Sequence, residues 1–269
     1  MDSAQPAATA GGADGTEPEI RLRLLSYNMQ VALHTRHYGD YLTRAWRHAL
    51  PSPGMRANLD RIAELVAPYD FVALQEADAG SLRSRWLNHI EYLASRAGFA
   101  HCGWSVTRNL HPVAMHCLGY LSRLRPLRVE DHTLPSRVAG RRAMLLEFGP
   151  EAGGLTVLLT HLSLTAPARH LQLHFLAERL PANRPAVLLG DLNCEHQDLH
   201  RHPGLRRSGL QAPVQGPATY PSWQPRRRLD HILLTSQVEL HRLETLPPTA
   251  SDHLPLAAEI VVRTPPARP

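Results

Sequence analysis

The 269-residue chain is 43% hydrophobic and 20% charged, enough apolar sequence for one large domain or two small ones, which excludes a wholly disordered protein. No apolar run reaches the roughly 18 residues a membrane-spanning helix needs, so a helical integral membrane protein is not expected. The formal net charge of +5, with all 29 basic side chains Arg and none Lys, admits a polyanionic partner without requiring one.

In chain order, residues 1–20 (MDSAQPAATAGGADGTEPEI) are rich in Ala, Gly, Pro and acids and predict a disordered tail. They have neither a basic n-region nor an apolar h-region and do not read as a secretory signal. Cys102, Cys117 and Cys194 are odd in number and lack metal-ligand spacing, so no disulfide framework is expected. Both points favour a reducing, cytoplasmic setting. Residues 21–262 predict the folded domain and 263–269 a second tail. RLRLLSYNMQVAL (21–33) predicts a strand ending at Asn28. Residues 34–55, polar and aromatic with Pro51, Pro53 and Gly54, predict a loop with a short helix. In RANLDRIAELV (56–66), Leu59, Ile62, Ala63, Leu65 and Val66 share one helical face, and Pro68 closes the helix. FVALQEAD (71–78) predicts a buried strand running into Glu76. A helix follows over 82–97, then a strand at CLGYLSRL (117–124). RRAMLLEFG (141–149) and LTVLLTHLSL (155–164) predict a strand pair, and 168–180 a helix. PAVLLGDLN (185–193), LDHILLT (229–235) and HLPLAAEIVV (253–262) predict three more strands. No repeat is visible at a period of 20 to 50 residues. Strands joined partly by helices point to an α/β (α+β) fold with mixed sheets.

The polar residues are more informative than the elements. Short apolar strands end in Asn28, in Glu76, in His161, and in Asp191 with Asn193, while a further segment carries Ser251, Asp252 and His253. Strand ends on one edge of a sheet can converge on one crevice. Glu76, Asp191, Asp252 and Asn28 are hard oxygen donors, suited to Mg²⁺ or Mn²⁺ and poorly suited to zinc. His161 and His253 can donate to a phosphoryl oxygen, and Asp230 is placed to orient His253. Taken singly, each has an ordinary structural reading: Asn28 as a turn amide, Glu76 as a solvated strand end, Asp191 with Asn193 as an Asx-turn, Ser251 as a helix cap, His161 as a core histidine. Five such strand ends in one chain make that joint reading much weaker.

The motifs LLSYNMQ (24–30), FVALQEAD (71–78), LTHLSL (159–164), LLGDLN (188–193), RRLDHIL (227–233) and SDHLPL (251–256), in this order and spacing, resemble the endonuclease/exonuclease/phosphatase superfamily of Mg²⁺-dependent phosphoesterases. The resemblance spans residues 21–262. It implies a four-layer α/β/β/α sandwich of two mixed β-sheets flanked by helices, with the site at one end. It also implies roles. Glu76 is the principal metal ligand, with Asn28 and Asp252 at the metal or at a second metal position. Asp191 orients or deprotonates the attacking water, and Asn193 holds phosphate or nucleophile. His253 contacts the scissile phosphate, oriented by Asp230, and His161 helps bind the phosphoryl oxygens. Gly190 lets the backbone approach closely at the turn before Asp191. The departure is HCLGYLSR (116–123), where Cys117 and Leu118 stand in place of the Gly-Asn pair often found there. That puts a site contribution from this strand in doubt, with His116 and Tyr120 as substitutes or as packing residues.

TYPSWQPRRRLDHIL (219–233) bears on the substrate. Tyr220 and Trp223 could stack on a base and Arg226, Arg227 and Arg228 hold phosphates, or Trp223 could pack on the sandwich beside a solvated Arg loop. The favoured expectation is a metal-dependent nuclease or phosphodiesterase. The alternatives are a lipid-headgroup or inositol-phosphate phosphoesterase of the sphingomyelinase-like kind, in peripheral contact with a membrane, and a catalytically silent binding module. Cys194 has no assigned role.

Overall fold

The computed structural model describes residues 19–30, 54–137, 139–181, 183–247 and 251–263. Most of the loop and short helix expected over 34–55, and both terminal tails apart from residues 19, 20 and 263, lie outside the described residues. Among the described residues, eleven strands form two mixed sheets. The first contains β1 (Ile20–Asn28), β2 (Phe71–Asp78), β3 (His101–Leu110), β4 (Ala114–Ser122), β10 (Val238–Thr245) and β11 (Leu256–Val262), in the order β10-β11-β1-β2-β4-β3. The second contains β5 (Pro126–Thr133), β6 (Arg142–Phe148), β7 (Thr156–His161), β8 (Ala186–Asp191) and β9 (Asp230–Leu234), in sequential order. Helices α1 (Met55–Val66) and α2 (His89–Ala97) cover the outer face of the first sheet, while α3 (Ala166–Ala177), α4 (His196–Arg201) and α5 (Pro203–Ser208) cover that of the second. Among the described residues no helix is long and apolar enough to cross a membrane.

The expected four-layer sandwich is therefore what forms, and side-chain alternation explains why. Successive strand residues face opposite sides of a sheet. Leu22 and Leu24 of β1 enter the cluster between the sheets, whereas Leu25 and Tyr27 meet α1 and α2. In β8, Val187 and Leu189 face inward and Leu188 faces the helices; β7 and β9 alternate in the same way. The apolar runs are thus buried on both faces, each full side chain contributing about 1.5–3 kcal/mol. The same parity carries the last residue inward. Asn28, His161 and Asp191, at the ends of β1, β7 and β8, and Asp230, at the start of β9, all face the gap between the sheets.

Several elements differ from expectation. The helix expected over 82–97 starts only at His89, because Asn88 caps it through Ile90 N–H and Glu91 N–H. The strand expected from His253 starts at Leu256, and the one expected to reach Asn193 stops at Asp191. Strands β3, β5 and β10 and helices α4 and α5 were not expected. The three strands lie on sheet edges, where half-exposed, mixed side chains blur the alternation.

Gly190 is required by the fold. It pairs with Thr160 across the parallel β7–β8 ladder, has φ +145°, and a Cβ there would sit 1.9 Å from the Thr160 carbonyl oxygen. The obstacle is backbone, so it cannot rotate away. Gly190→Ala is expected to cost about 3 kcal/mol or more, from overpacking and strain together, lowering Tm by about 6–12 °C in a chain of this size. An unchanged melting curve would contradict the close approach.

Candidate active site

Glu76 breaks the alternation of its own strand. Phe71 and Ala73 of β2 face the inter-sheet core and Val72 and Leu74 the helices, so an undisturbed strand would turn residue 76 toward the helices. The β2–β4 register slips between Leu74 and Ala77, and Glu76 takes a left-handed backbone (φ +53°). This bulge reverses the parity: Ala77 now packs on the helix side, and Glu76 is delivered to the crevice. Its side chain stays one-third exposed.

Asp191 is the hub. Its Oδ2 accepts the Asn28 amide at 3.0 Å and lies 3.4 Å from His161 Nε2 and 3.8 Å from His253 Nε2, while Oδ1 accepts the Asn193 N–H at 3.0 Å. The Asn28 amide also reaches Glu76 Oε1 at 3.4 Å, and His161 Nδ1 lies 3.9 Å from the same oxygen. His253 Nδ1 donates to Asp230 Oδ2 at 2.8 Å, so the pairing expected from sequence is present. Asn28, Glu76, His161, Asp191, Asp230 and His253 therefore form one connected cluster. The Asx-turn at Asp191 and Asn193 is also real, and it serves the site: Asn193, held at φ +52°, donates its amide to the Leu162 carbonyl at 3.0 Å and ties the turn to the end of β7.

The 251–253 loop is locked to β1. Ser251 Oγ donates to the Asn28 carbonyl at 2.6 Å and accepts His253 N–H at 3.1 Å, so it staples a loop and does not cap a helix. Asp252 N–H donates to Gln30 Oε1, and Gln30 N–H to Asn28 Oδ1. Gln30, itself at φ +43°, is a positioning residue that sequence did not single out.

Charge and burial set the protonation states. Burial disfavours the His253 imidazolium, but Asp230 and Asp191 outweigh it and push its pKa up to about 10, so the ring is a cation at neutral pH. Burial raises Asp191 to about 7, with Asp230 and Glu76 adding repulsion and His253 and Asn28 restraining it. Burial likewise lifts Glu76, opposed by His253 and Asn28. His161 is held neutral by burial and by nearby Arg141, His253 and His116. Three acids clustered against a desolvation cost are a setting that a divalent cation would relieve. Asp191, Asp230 and His253 each present a ligand atom within 4.8 Å of the others, and Asp230 Oδ1 is buried without a hydrogen-bond partner among the described residues. His253 is a poor member of that set, because it is a cation committed to Asp230. The oxygen donors around Glu76 suit a hard ion better.

Arg141 was missed by sequence reasoning. It immediately precedes β6 and follows Gly140 (φ +105°), which lies so close to Thr107 that a Cβ would come within 2.2 Å of the Thr107 carbonyl oxygen. Its Nη1 reaches the His161 carbonyl at 3.5 Å, and its charge acts on Glu76 and Asp191. The run GRRAMLL carried no signal for this, because the contact depends on the backbone at Gly140 lying against Thr107 of β3.

The other expected residues fall into place unequally. The ring of half-buried Tyr220 lies 5.0 Å from that of His253, so it lines the site. Trp223 is half-buried in the turn after it, and Arg226 is exposed. Arg227 and Arg228 both have partners within the fold. Arg227 pairs with Glu195 at 3.2 Å, and both Arg228 Nη atoms donate to the Pro213 and Val214 carbonyls. Tyr120 packs against Phe71 inside the sandwich, whereas half-buried His116 pairs opposite Asp78, its Nε2 3.1 Å from Arg83 Nη1. Cys194 is buried, and burial pushes its thiol up to about 12. Its carbonyl accepts the His231 Nε2–H at 2.8 Å, a proton shared with the Arg228 carbonyl. This bond holds the 192–195 turn against the start of β9.

The sequence profile of the Endonuclease/Exonuclease/phosphatase family matches residues 25–253. No curated protein sequence matches the chain. Solved structures of the same fold include an endonuclease/exonuclease/phosphatase from Beutenbergia cavernae (TM-score 0.71, 21% identity, 92% of this chain and 73% of that one). A humanized TDP2 of D. rerio carrying 14 mutations aligns with TM-score 0.65 and 16% identity over 89% of this chain and 98% of that one. A mannosyl-6-phosphatase from Bacteroides thetaiotaomicron aligns with TM-score 0.62 and 17% identity over 89% and 99%.

Proposed function

The chain belongs to the endonuclease/exonuclease/phosphatase family, and from that premise we propose that it is a divalent-metal-dependent phosphodiesterase that cleaves nucleic acid by in-line attack of water on phosphorus. The observation that supports this best is the Asn28–Glu76–His161–Asp191–Asp230–His253 cluster, which draws acids, an amide and imidazoles from five strand ends and one loop into one crevice.

Glu76, with Asn28 and Asp252 beside it, would hold Mg²⁺ or Mn²⁺. When bound, the ion supplies Lewis-acid stabilisation of charge developing on the phosphoryl oxygens. The chain supplies the rest. Asp191, raised to about 7, is poised to take a proton from water at neutral pH and is held in place by Asn28 and Asn193. His253, a cation facing the same carboxylate, donates to a non-bridging oxygen, and Asp230 fixes its ring. Neutral His161 donates a second hydrogen bond, and Arg141 adds a fixed charge on that side. Tyr220 bounds the crevice against His253.

The testing experiment is a substrate panel with Mg²⁺ or Mn²⁺ and with EDTA. It comprises single-stranded DNA, duplex DNA, RNA, bis-p-nitrophenyl phosphate, p-nitrophenyl phosphate, a sugar phosphate and phospholipid headgroup diesters. Metal-dependent turnover of the diesters, highest on nucleic acid and abolished by EDTA, is expected. Turnover confined to monoesters or lipid headgroups would refute the nuclease reading, and no turnover on any substrate would refute the enzyme.

A further inference from the structure

Residues 79–88 leave β2 two positions after Glu76 and return to α2, their ends joined by an Ala79–Asn88 bridge. The polarity of this loop is inverted. The Asp78 carboxylate, fully buried, accepts Gly80 N–H and Ser84 Oγ on one oxygen and Ser81 Oγ and Arg83 Nε on the other, at 2.6 to 3.0 Å. Ser81, Arg83 and Ser84 are drawn inside, and Leu82 and Trp86 are turned out, 43% and 58% exposed. Arg85 and Trp86 both hold left-handed backbones, φ +54° and +64°. Trp86 N–H donates to the Ser81 carbonyl at 2.7 Å, and Leu82 and Arg83 N–H donate to the Pro112 and Val113 carbonyls of the β3–β4 turn. A packing tryptophan would be buried; this one is turned toward solvent, its ring 5.9 Å from that of His111.

The segment that carries it is almost wholly basic. From Ala79 to His116 the only acidic residue is Glu91, which lies on α2. Arg85, Arg108 and His111 are exposed, and among the described residues no acid pairs with either arginine. The patch adjoins the catalytic crevice along the chain: residues 79–88 begin three positions after Glu76, and His116 pairs opposite Asp78 on the neighbouring strand. An aromatic face flanked by arginines, continuous with a phosphoester site, matches the chemistry of a single-stranded polynucleotide, whose bases stack and whose phosphates repeat.

We propose that residues 82–86 and the adjoining 108–113 turn are a platform for a single strand leaving the crevice, with a base stacked on Trp86 and phosphates held by Arg85 and Arg108. This rests on the phosphodiesterase reading and extends it to a residue outside the catalytic cluster.

The test uses the full chain in EDTA with a fluorescein-labelled oligothymidylate, read by anisotropy and by quenching of tryptophan fluorescence. Trp86→Ala is expected to weaken binding on the order of 10-fold and remove most of the quenching, Trp86→Phe to retain most of the affinity, and Arg85→Ala with Arg108→Ala to reduce the slope of log affinity against log salt by about 1.4. With metal, all three variants should hydrolyse bis-p-nitrophenyl phosphate as the wild type does, which also reports that they fold. Oligonucleotide affinity and cleavage unchanged in Trp86→Ala would overturn the platform. So would a wild type that hydrolyses bis-p-nitrophenyl phosphate yet neither binds nor cuts the oligonucleotide. Failure on every phosphoester would instead overturn the underlying enzyme reading.

Discussion

Glu76→Gln is expected to lower kcat on the order of 10³-fold or more, a loss of about 4 kcal/mol of transition-state stabilisation, with the fold intact. The substitution keeps the shape of the side chain and the oxygen that faces the Asn28 amide. It removes only the charge that would hold a hard cation. Because the carboxylate is one-third exposed and burial already disfavours its ionisation, the neutral variant leaves Tm close to that of the wild type. Mn²⁺ binding followed by calorimetry should weaken in parallel with the rate. A variant that binds Mn²⁺ like the wild type and has still lost its rate would remove Glu76 from the metal and leave it another role in the crevice.

His253→Ala should lose a comparable factor, on the order of 10³-fold, and should also destabilise the fold. The cation is the partner of a buried carboxylate: Asp230 Oδ2 binds His253 Nδ1 at 2.8 Å, and Oδ1 already lacks a hydrogen-bond partner among the described residues. Removing one member of a buried pair costs about 3–5 kcal/mol, a fall in Tm of about 6–20 °C in a chain this large. Adding Asp230→Asn to His253→Ala deletes the stranded charge, so the double variant should regain much of the stability and none of the activity. A double variant no more stable than His253→Ala would mean that the pair is not coupled. Asp230→Asn alone tests orientation through pH. The Asp230 anion favours the imidazolium, so its removal lowers the His253 pKa from about 10 toward the ordinary value. Activity that needs the cation is lost as pH rises through that pKa, so the alkaline limb should move down by more than about one pH unit. Superimposable pH profiles would rule out the orienting role.

Much of this protein could be read from one chain because alternation is a local property. Where an apolar run is buried on both faces, as in 71–74 or 186–189, the strand is evident and its last polar residue is conspicuous. Asn28, Glu76, His161 and Asp191 were identifiable in this way, and α1 by its one apolar face; Asp230 and His253 stood out in the LDHIL and SDH segments, and the four-layer class came from the resemblance that the motifs carry together. In the helix expected over 82–97, local spacing is overridden. Leu82, Trp86, Ile90 and Leu93 recur at helical spacing, but one buried carboxylate, Asp78, captures Ser81, Arg83 and Ser84 and turns the first two apolar residues into solvent. The edge strands β3, β5 and β10 were hidden because solvent on one side removes the need for a clean apolar face.

The site itself is long-range. Asn28 and Asp191 meet across 163 residues of sequence, and Ser251 grips the end of β1 across 223. Sequence determined which residues end the strands and what chemistry they carry. Only the tertiary structure decided that the β2 bulge turns Glu76 into the crevice, that Arg141 joins it while Arg227 and Arg228 are engaged elsewhere, and that Trp86 faces solvent. The reason is physical: propensity and alternation act over a few residues, whereas a bulge, a buried charge and a backbone contact at Gly140 or Gly190 exist only once the sheets have chosen their neighbours.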